Sequence, residues 1–207
     1  MAYKKHLYLT YASIFPLMIC SGIVYSIFAI YIKEDLGAST SQIGLIFTLG
    51  SLSGVIAAPL FGRLSDRIGR KPILVTSMTI FFVVFLFYSL ARSFLEIFPV
   101  QVLEGVGWSS LGATTSALIA DTVPSETRGT AMGMYTMTWY LGWVIGPALG
   151  GWMAETFGFR SVFFICSILI IFGFVMALKF IKEPIQKRPR HNKGVGEFTI
   201  DEELKKS

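Results

Sequence analysis

The sequence predicts an all-α membrane protein with six transmembrane helices. Of its 207 residues, 53% are hydrophobic and only 15% are charged, against roughly 25% charged in an ordinary soluble domain. Twelve of the 31 charged residues come after Ile181. The chain before that point holds six apolar runs, each about the 20 residues that a helix needs to cross a bilayer core about 30 Å thick. This composition excludes a soluble enzyme with a solvated surface, and also a disordered chain.

The six apolar runs follow one another with short polar connections between them. They cover residues 7–32, 43–61, 73–91, 94–120, 131–153 and 161–180. The first run is too long for a signal peptide and no A-x-A cleavage pattern ends it, so it predicts an uncleaved first span. We therefore expect a transmembrane bundle over residues 1–181 and a polar, disordered cytoplasmic tail over residues 182–207.

Lysine and arginine residues are distributed unequally between the two sides of the membrane. Fifteen of them fall in the termini and in the connections on the same side, whereas only Lys33, Arg92 and Arg160 fall on the other side. Positively charged connections tend to stay in the cytoplasm. The bias therefore predicts a multi-pass protein of the plasma membrane with both termini in the cytoplasm.

The sequence contains no pattern typical of a metal site, a cofactor site or an enzyme. Cys20 and Cys166 lie inside apolar runs, as small packing residues do. His6 and His191 lie in polar flanks without ligand spacing, and no nucleophile–base pair or phosphate-binding loop occurs. The basic residues stand in short clusters between apolar runs, which argues against binding to nucleic acid.

The second and fifth runs share a pattern of small residues at four-residue spacing, with a proline three positions before a glycine. Such spacing lines small residues along one helix face, where another backbone can approach closely. Two three-helix units with matched middle helices predict a 3+3 inverted repeat. The matched residues are Gly50, Gly54 and Pro59 in the second run with Gly62 directly after it, and Gly142, Gly146, Pro147 and Gly150 in the fifth.

The connection between the second and third runs carries a dense motif from Gly62 to Pro72. Its Asp66 is followed by three cations that can form a charge network with it, and its two glycines allow close helix contact and a tight turn. A loop that is basic only for reasons of topology would explain the cations, but not the aspartate or the glycines. The motif residues are Gly62, Asp66, Arg67, Gly69, Arg70 and Lys71.

This motif resembles the signature G-x-x-x-D-R-x-G-R-[RK]-x of the major facilitator superfamily at every specified position. Asp121, Pro124, Arg128 and Gly129 resemble the family's second cytoplasmic loop. The fifth run resembles the pattern G-x8-G-x3-G-P-x2-G-G, which marks proton-driven antiporters in the family. Its residues here are Gly133, Gly142, Gly146, Pro147, Gly150 and Gly151.

The resemblance implies that the chain is half of a transporter, because family members have about twelve spans in two six-helix bundles with the substrate between them. It also implies that Asp66, Arg70, Asp121 and Arg128 hold one conformation closed, and that the glycine stripe of helix five packs against a second bundle. A homodimer or a separate second half would supply that bundle. The alternative is a truncated or non-transporting six-helix membrane subunit that binds a partner.

Candidate substrate and proton groups lie on one face of the fourth run. Gln101, Glu104 and Trp108 recur at helical spacing there. An ionisable group near the bilayer centre has to face the bundle interior or a wet cavity, so Glu104 is a candidate for proton coupling or for holding a cationic substrate. A protonated glutamic acid that only bonds a neighbouring helix is the alternative. Tyr25 on the first run is a further candidate for an aromatic lining.

One departure from the family pattern concerns the same face. Family members carry an arginine in helix four, four residues before the first glycine of R-x-x-[QE]-G-x-G, and this arginine is linked to proton transfer in antiporters. Gln101 occupies its position here. The residues and the resemblance together predict a secondary active transporter of a small organic solute that works by alternating access, with proton-coupled efflux as the form of coupling. The expected partners are membrane lipid, the solute, protons, and a homodimer partner or a separate second half.

Overall fold

The computed structural model describes residues 2–183, which form six long helices and one short 3-10 turn, Ser125–Thr127. The helices are α1 (Ala2–Glu34), α2 (Thr40–Ile68), α3 (Arg70–Leu90), α4 (Phe94–Thr122), α5 (Arg128–Phe157) and α6 (Phe159–Phe180). Each predicted run lies within one of these helices, apart from Ala91, which caps the end of α3. The predicted tail lies outside the described residues except for Lys182 and Glu183.

Four of the helices are long and apolar enough to cross a membrane by length and composition alone: α1 from His6, α2, α3 and α6. The other two, α4 and α5, have 29 and 30 residues and carry many of the glycine, serine and threonine residues of the bundle. These small and polar residues lower the hydropathy of α4 and α5. They are also the residues that shape the interior of the bundle.

Local signals in the sequence fix where the helices begin. Ser39 accepts from the Gln42 amide at 3.3 Å while the Gln42 side chain accepts from the Ser39 amide at 2.8 Å, a reciprocal cap that starts α2. Gly69 and Gly158 each turn the chain directly from one helix into the next, with φ of 108° and 76°. That backbone region is essentially restricted to glycine.

The helices pack as two interlocked three-helix units. Helix α1 packs on α5 and α6, helix α4 packs on α2 and α3, and α3 packs on α6. Exchanging α1–α3 with α4–α6 leaves this pattern of neighbours unchanged. The fold is therefore the predicted all-α bundle with a 3+3 inverted repeat.

The glycine stripe of α5 packs inside the bundle, and the expectation that it faces a second bundle is wrong for three of its residues. Gly142, Gly146 and Gly150 are buried against α1, where an added Cβ would lie 2.5–2.6 Å from the nearest atom of that helix. Gly133 and Gly151 have open space around them. The four-residue spacing correctly indicated a close backbone approach, and the approaching backbone is that of α1 within the same chain.

The stripe of α2 makes the equivalent joint with α4. A Cβ on Gly50 would lie 2.7 Å from the Gln101 side chain, and one on Gly54 would lie 3.2 Å from the Gly105 carbonyl oxygen. The Ser53 hydroxyl donates to the Val102 carbonyl oxygen across the same joint at 2.9 Å. The absence of side chains on α2 therefore lets α4 approach, and it positions Gln101 at the joint.

The core between α1, α3 and α6 is aromatic. Tyr31 contacts Phe163 with ring centroids 4.9 Å apart, and Phe28 contacts Tyr88 at 4.5 Å. All four side chains are almost completely buried. This packing fixes the Tyr88 ring and aims its hydroxyl at α4.

Candidate functional site

Glu104 lies in the interior of the bundle with only 1% of its surface exposed. Its Oε2 lies 2.6 Å from the hydroxyl of Tyr88, which comes from α3. The same hydroxyl lies 3.0 Å from Oε1 of Gln101, one turn earlier on α4. Among the described residues, Oε1 of Glu104 has no hydrogen bond of good geometry. The carboxyl is therefore held by one strong contact and retains capacity for a proton or a further ligand.

Tyr25 and Trp108 complete the polar group around this carboxyl. The indole nitrogen of Trp108 donates to the Tyr25 hydroxyl at 2.9 Å, which joins α4 to α1. Both side chains are also close enough to interact electrostatically with Glu104. The structure thus brings together the four residues that the sequence analysis placed in a substrate or proton site.

A cavity of about 310 Å³ lies beside this group, between α1, α2 and α4. Gln101 and Trp108 line it directly, whereas Glu104 lies one layer behind them. Small residues of α2 leave the space open next to Gln101. The volume is in the range of pockets that hold small molecules. The lining residues are Tyr25, Phe47, Gly50, Ser51, Gly54, Gln101, Gly105, Trp108 and Ser109.

Aromatic rings form a continuous wall next to the cavity. The Trp108 ring lies 5.3 Å from that of Trp139, which stacks on Trp143 at 6.2 Å, and Trp143 lies 5.6 Å from Tyr25. Tyr140, by contrast, points outward with 67% of its surface exposed. The wall is apolar with polar edges, a surface suited to flat organic molecules and to cations.

The charge motif forms a network at one end of the bundle. Arg70 contacts Oδ1 of Asp66 at 2.6 Å, Oδ2 of Asp121 at 3.0 Å and the Ser65 hydroxyl at 2.7 Å. It therefore ties α2, α3 and α4 together. Arg128 donates to the Ala120 carbonyl oxygen at 3.0 Å, which places it at the end of α4 beside this network.

Arg67 and Gly62 lie on the outer side of the same motif. Arg67 is exposed, and Gly62 is half-buried with open space where a Cβ would lie. The exposed fraction of the Asp66 side chain is 62%, although it pairs with Arg70. This side of the motif is therefore accessible from outside the bundle.

Glu183 takes part in the same end of the bundle, and the sequence analysis missed it. Its two carboxylate oxygens accept from the main-chain amides of Arg70 and Lys71 at 2.5 and 2.8 Å, which caps α3. The Lys71 ammonium group donates to the Leu178 carbonyl oxygen of α6 at 2.7 Å. Glu183 is 113 residues away from Arg70 in sequence, so no local spacing could reveal the contact.

Tyr88 is the other residue of the candidate site that the sequence did not indicate. It lies in the apolar run of α3, where a tyrosine is commonly part of the packing. The only available signal was a hydroxyl at a position buried among hydrocarbon, since a buried hydroxyl needs a hydrogen-bond partner. Its partner lies on another helix, so the sequence alone could not identify it.

Comparisons with known proteins agree with this architecture. The family model of the Major Facilitator Superfamily matches residues 10–205. The chain is 29% identical over 181 residues to the quinolone resistance protein NorA of Staphylococcus aureus, and 31% identical over 198 residues to the multidrug resistance protein MdtG of Dickeya zeae. These alignments cover 87% and 93% of this chain, and 46% and 48% of those proteins.

A solved structure shows the same fold. The chain superposes on the crystal structure of the human organic anion transporter MFSD10 (TETRAN) with a TM-score of 0.74 at 15% sequence identity, over 89% of this chain and 49% of that one. The chain therefore spans about half the length of the relatives that it matches. The family model, the relatives and the six-helix architecture lead to one conclusion: this chain belongs to the major facilitator superfamily.

Proposed function

We propose that this chain is one six-helix bundle of a secondary transporter that moves a small organic solute by alternating access. The observation that carries the proposal is the position of Glu104: an ionisable side chain buried inside a membrane bundle, directly behind a cavity of about 310 Å³. Ionisable groups inside the membrane are costly, and they commonly mark solute or proton pathways. Membership of a transporter family supports the same interpretation.

The wall of the cavity suggests the kind of solute. Tyr25 and Trp108 line the cavity, and Trp139 and Trp143 extend the row of aromatic rings beside it. Two of the relatives are named for resistance to quinolones and to multiple drugs. Aromatic faces bind organic rings through contact area and bind cations through their π electrons. We therefore propose a flat organic solute, carried outward as in drug efflux.

Proton coupling is proposed to act through Glu104. Tyr88, Tyr25 and Trp108 surround the carboxyl with hydroxyl and indole groups that can accommodate it with or without a proton. The family's helix-four arginine is replaced by Gln101, so no cation of α4 competes for the carboxylate at that position. Uptake and release of one proton at Glu104 would then accompany solute movement.

A second bundle is proposed to complete the transporter, supplied by a second copy of this chain or by a separate second half. The surface available to it includes the exposed face of the charge motif at Gly62 and Asp66. It continues along α2, where Leu52, Val55 and Ile56 are all more than half exposed. Rocking of the two bundles would make and break contacts at Asp66, which biases a two-state equilibrium. We place this assembly in the plasma membrane with both termini in the cytoplasm, so that residue 66 lies on the inner side.

The alternative is a six-helix membrane subunit that transports nothing and binds a partner. The observation in its favour is that both glycine joints are filled within the chain. A bundle whose closest contacts are internal can be stable in lipid without a second bundle. The mass of the purified protein in detergent by light scattering separates the two: a strict monomer without a second half would overturn the two-bundle proposal.

The transport proposal is tested with ethidium as the probe solute. Inverted membrane vesicles that contain the full chain should accumulate ethidium when a proton gradient is applied, and Glu104→Gln should remove most of the gradient-dependent part. Glu155→Gln is the matched control, because Glu155 is an exposed acid near the far end of α5. Gradient-dependent accumulation that is equal in Glu104→Gln and in the original protein would contradict the role of Glu104. A reporter fusion that places residue 66 on the outer side would contradict the orientation.

A further inference from the structure

The polar group around Glu104 contains one more acceptor than its central hydroxyl can serve. The Tyr88 hydroxyl lies between Oε2 of Glu104 and Oε1 of Gln101, at 2.6 and 3.0 Å. A hydroxyl carries a single hydrogen and can donate it to only one of these oxygens. All three side chains are at least 96% buried, and an acceptor left without a donor in such a place is costly.

A proton on Glu104 removes this conflict. The carboxylic acid then donates to the Tyr88 hydroxyl oxygen, and the Tyr88 hydroxyl donates to Oε1 of Gln101. The amide nitrogen of Gln101 is left facing Gly50, where it lies in the structure. Gly50 and Gln101 both line the cavity, so this state presents an N–H donor to the solute space.

An ionised Glu104 requires the opposite arrangement. Tyr88 has to donate its hydrogen to the carboxylate, and its oxygen can then only accept a hydrogen from Gln101. This reverses the amide of Gln101: the nitrogen turns towards Tyr88 and Oε1 turns towards Gly50 and the cavity. Such a half-turn exchanges a donor for an acceptor without moving the helix.

We propose that Tyr88 couples the proton on Glu104 to the orientation of the Gln101 amide, so that the cavity presents an N–H donor when Glu104 is protonated and a carbonyl acceptor when it is ionised. This inference deepens the proposed function and rests on Glu104 as the proton-binding group. A solute that carries N–H groups is favoured by the ionised state, and a solute that carries acceptors is favoured by the protonated state. Proton and solute then exchange through one side chain.

Two side chains connect the surroundings of Glu104 to the cavity: Tyr25, which lines the cavity itself, and Tyr88, which acts through Gln101. Helix α3 contributes Tyr88, and helix α1 contributes Tyr25, whose hydroxyl accepts from Trp108 and lies beside Glu104. The Tyr25 hydroxyl lies between Trp108 and Glu104 and has no contact with Gln101 among the hydrogen bonds of the described residues, so the Gln101 amide responds to Tyr88. Helix α2 faces the site with Phe47, Gly50, Ser51 and Gly54, none of which titrates in the physiological pH range. Gln101 and Trp108 are the neighbours on α4 itself, and of these two only Gln101 can exchange a donor for an acceptor.

The experiment follows the glutamine amide directly. The chain has three glutamines, Gln42, Gln101 and Gln186, so glutamine-selective ¹⁵N labelling of the full chain in detergent gives few side-chain signals, and Gln101→Leu assigns one of them. The carboxyl band of Glu104 is followed across the same pH range by infrared difference spectroscopy and assigned by its loss in Glu104→Gln. We expect the Gln101 signal to shift at the pH at which the Glu104 band changes.

Two variants test the link itself. In Tyr88→Phe the Glu104 band should still change with pH while the Gln101 shift disappears; in Tyr11→Phe both should persist, because the buried Tyr11 hydroxyl donates to the Ala131 carbonyl oxygen away from the site. A Gln101 signal that still follows pH in Tyr88→Phe would overturn the proposal. If Tyr88→Phe does not fold, Glu104→Gln takes its place, and a pH-dependent Gln101 signal there has the same meaning.

The outcomes separate this inference from the proposed function. A Glu104 band that never changes between acid and alkaline pH means that the proton-binding role itself is wrong. A Glu104 band that changes while the Gln101 signal stays constant in the original protein means that only the amide coupling is wrong. Neither readout requires transport.

Discussion

Two helix pairs pack through the same kind of glycine contact, and only one of them borders the polar site around Glu104. On one side Gly146 of α5 meets Gly22 of α1; on the other side Gly54 of α2 meets Gly105 of α4. Exchanging the halves of the inverted repeat turns one contact into the other. The α1–α5 contact therefore shows what the repeat needs in order to pack, and the α2–α4 contact shows what the candidate site adds to it.

The difference begins one turn away from the glycine contact. At the α1–α5 joint Met18 faces Gly142, whereas at the α2–α4 joint Gln101 faces Gly50. Met18 is completely buried in hydrocarbon. Gln101 reaches both Tyr88 and the cavity. Met18 and Gln101 hold equivalent positions in the two halves of the repeat. The polar side chain of Gln101 lines the cavity, whereas Met18 only packs.

The next positions diverge in the same direction. Counting from the glycine contact, Ser21 of α1 corresponds to Glu104 of α4, and Tyr25 corresponds to Trp108. Tyr25 and Trp108 meet each other at 2.9 Å across the two halves, while Ser21 and Glu104 are both buried. The repeat therefore supplies a symmetric frame, and a single ionisable residue makes it asymmetric.

The greatest loss of stability is expected where the contact between α1 and α5 is changed. In Gly146→Ala the added Cβ would lie 2.6 Å from the main chain of Gly22, so α1 and α5 must separate. Overpacking of a tight contact costs about 1–3 kcal/mol and sometimes more, and a rigid main chain places this variant at the upper end. Thermal unfolding monitored by fluorescence in detergent should show a large drop in the midpoint.

Two alanine variants sharpen this result. Gly54→Ala should cost less than Gly146→Ala, because its Cβ would lie 3.2 Å from the Gly105 carbonyl oxygen. Gly151→Ala on α5 has open space around it and should be neutral or slightly stabilising, since alanine is the better helix former. Equal losses at 146 and 151 would show that the joint does not hold the bundle together.

The second prediction concerns Glu104, the ionisable residue that is present in only one half of the repeat. Glu104→Gln should reduce proton-dependent binding or transport of ethidium at least about tenfold, because hydrogen bonds to charged groups contribute about 1.5–3 kcal/mol and about 1.4 kcal/mol corresponds to tenfold. Ser21→Ala is the matched change at the equivalent position of α1 and should leave the pH dependence in place. If Ser21→Ala lost the pH dependence and Glu104→Gln kept it, the proton-binding role would belong to α1 and not to Glu104.

The six helices and their order were largely predictable from the sequence. Hydropathy depends on composition, so the six runs and their order could be found without a structure. The glycine spacing showed that some backbone comes close to α5, but a spacing pattern does not identify its partner. The stripe at Gly142, Gly146 and Gly150 was therefore assigned to a second bundle, although α1 fills it.

The site was predictable only where it lies on one helix. Gln101, Glu104 and Trp108 share a face of α4, so helical periodicity was enough to group them. Tyr88 and Glu183 reach the functional groups from α3 and from the segment after α6. Such contacts depend on how distant helices pack against each other, and no local pattern in the sequence records that.

The third effect extends the comparison to the turns between helices. Gly69 between α2 and α3 and Gly158 between α5 and α6 hold equivalent positions with positive φ. A non-glycine residue in this backbone region costs about 1–3 kcal/mol, so Gly158→Ala should lower the unfolding midpoint. Gly69→Ala should lower it further, because its Cβ would also lie 2.8 Å from the Glu183 carboxylate that caps α3.

Glu183→Gln distinguishes the two contributions at Gly69. A neutral side chain keeps one acceptor and loses the charge that favours a helix N-terminus, an effect of about 0.3–1 kcal/mol. If the carboxylate cap accounts for the extra loss, Gly69→Ala in the Glu183→Gln background should cost less than it does alone. Equal costs in the two backgrounds would show that backbone strain is the whole effect.

The charge network should contribute least to stability. Its central arginine occurs in only one half of the repeat, because Arg70 follows Gly69 whereas Phe159 follows the equivalent Gly158. Exposed ion pairs contribute about 0–1 kcal/mol, so Asp121→Asn should lower the unfolding midpoint slightly. Asp66→Asn should lower it less, because the exposed fractions of the two side chains are 38% and 62%. Both differences should shrink at high salt.

If Asp66 acts in gating, ethidium transport in Asp66→Asn should fall by more than the amount of folded protein. Equal losses of transport and of folded protein would assign Asp66 to folding instead.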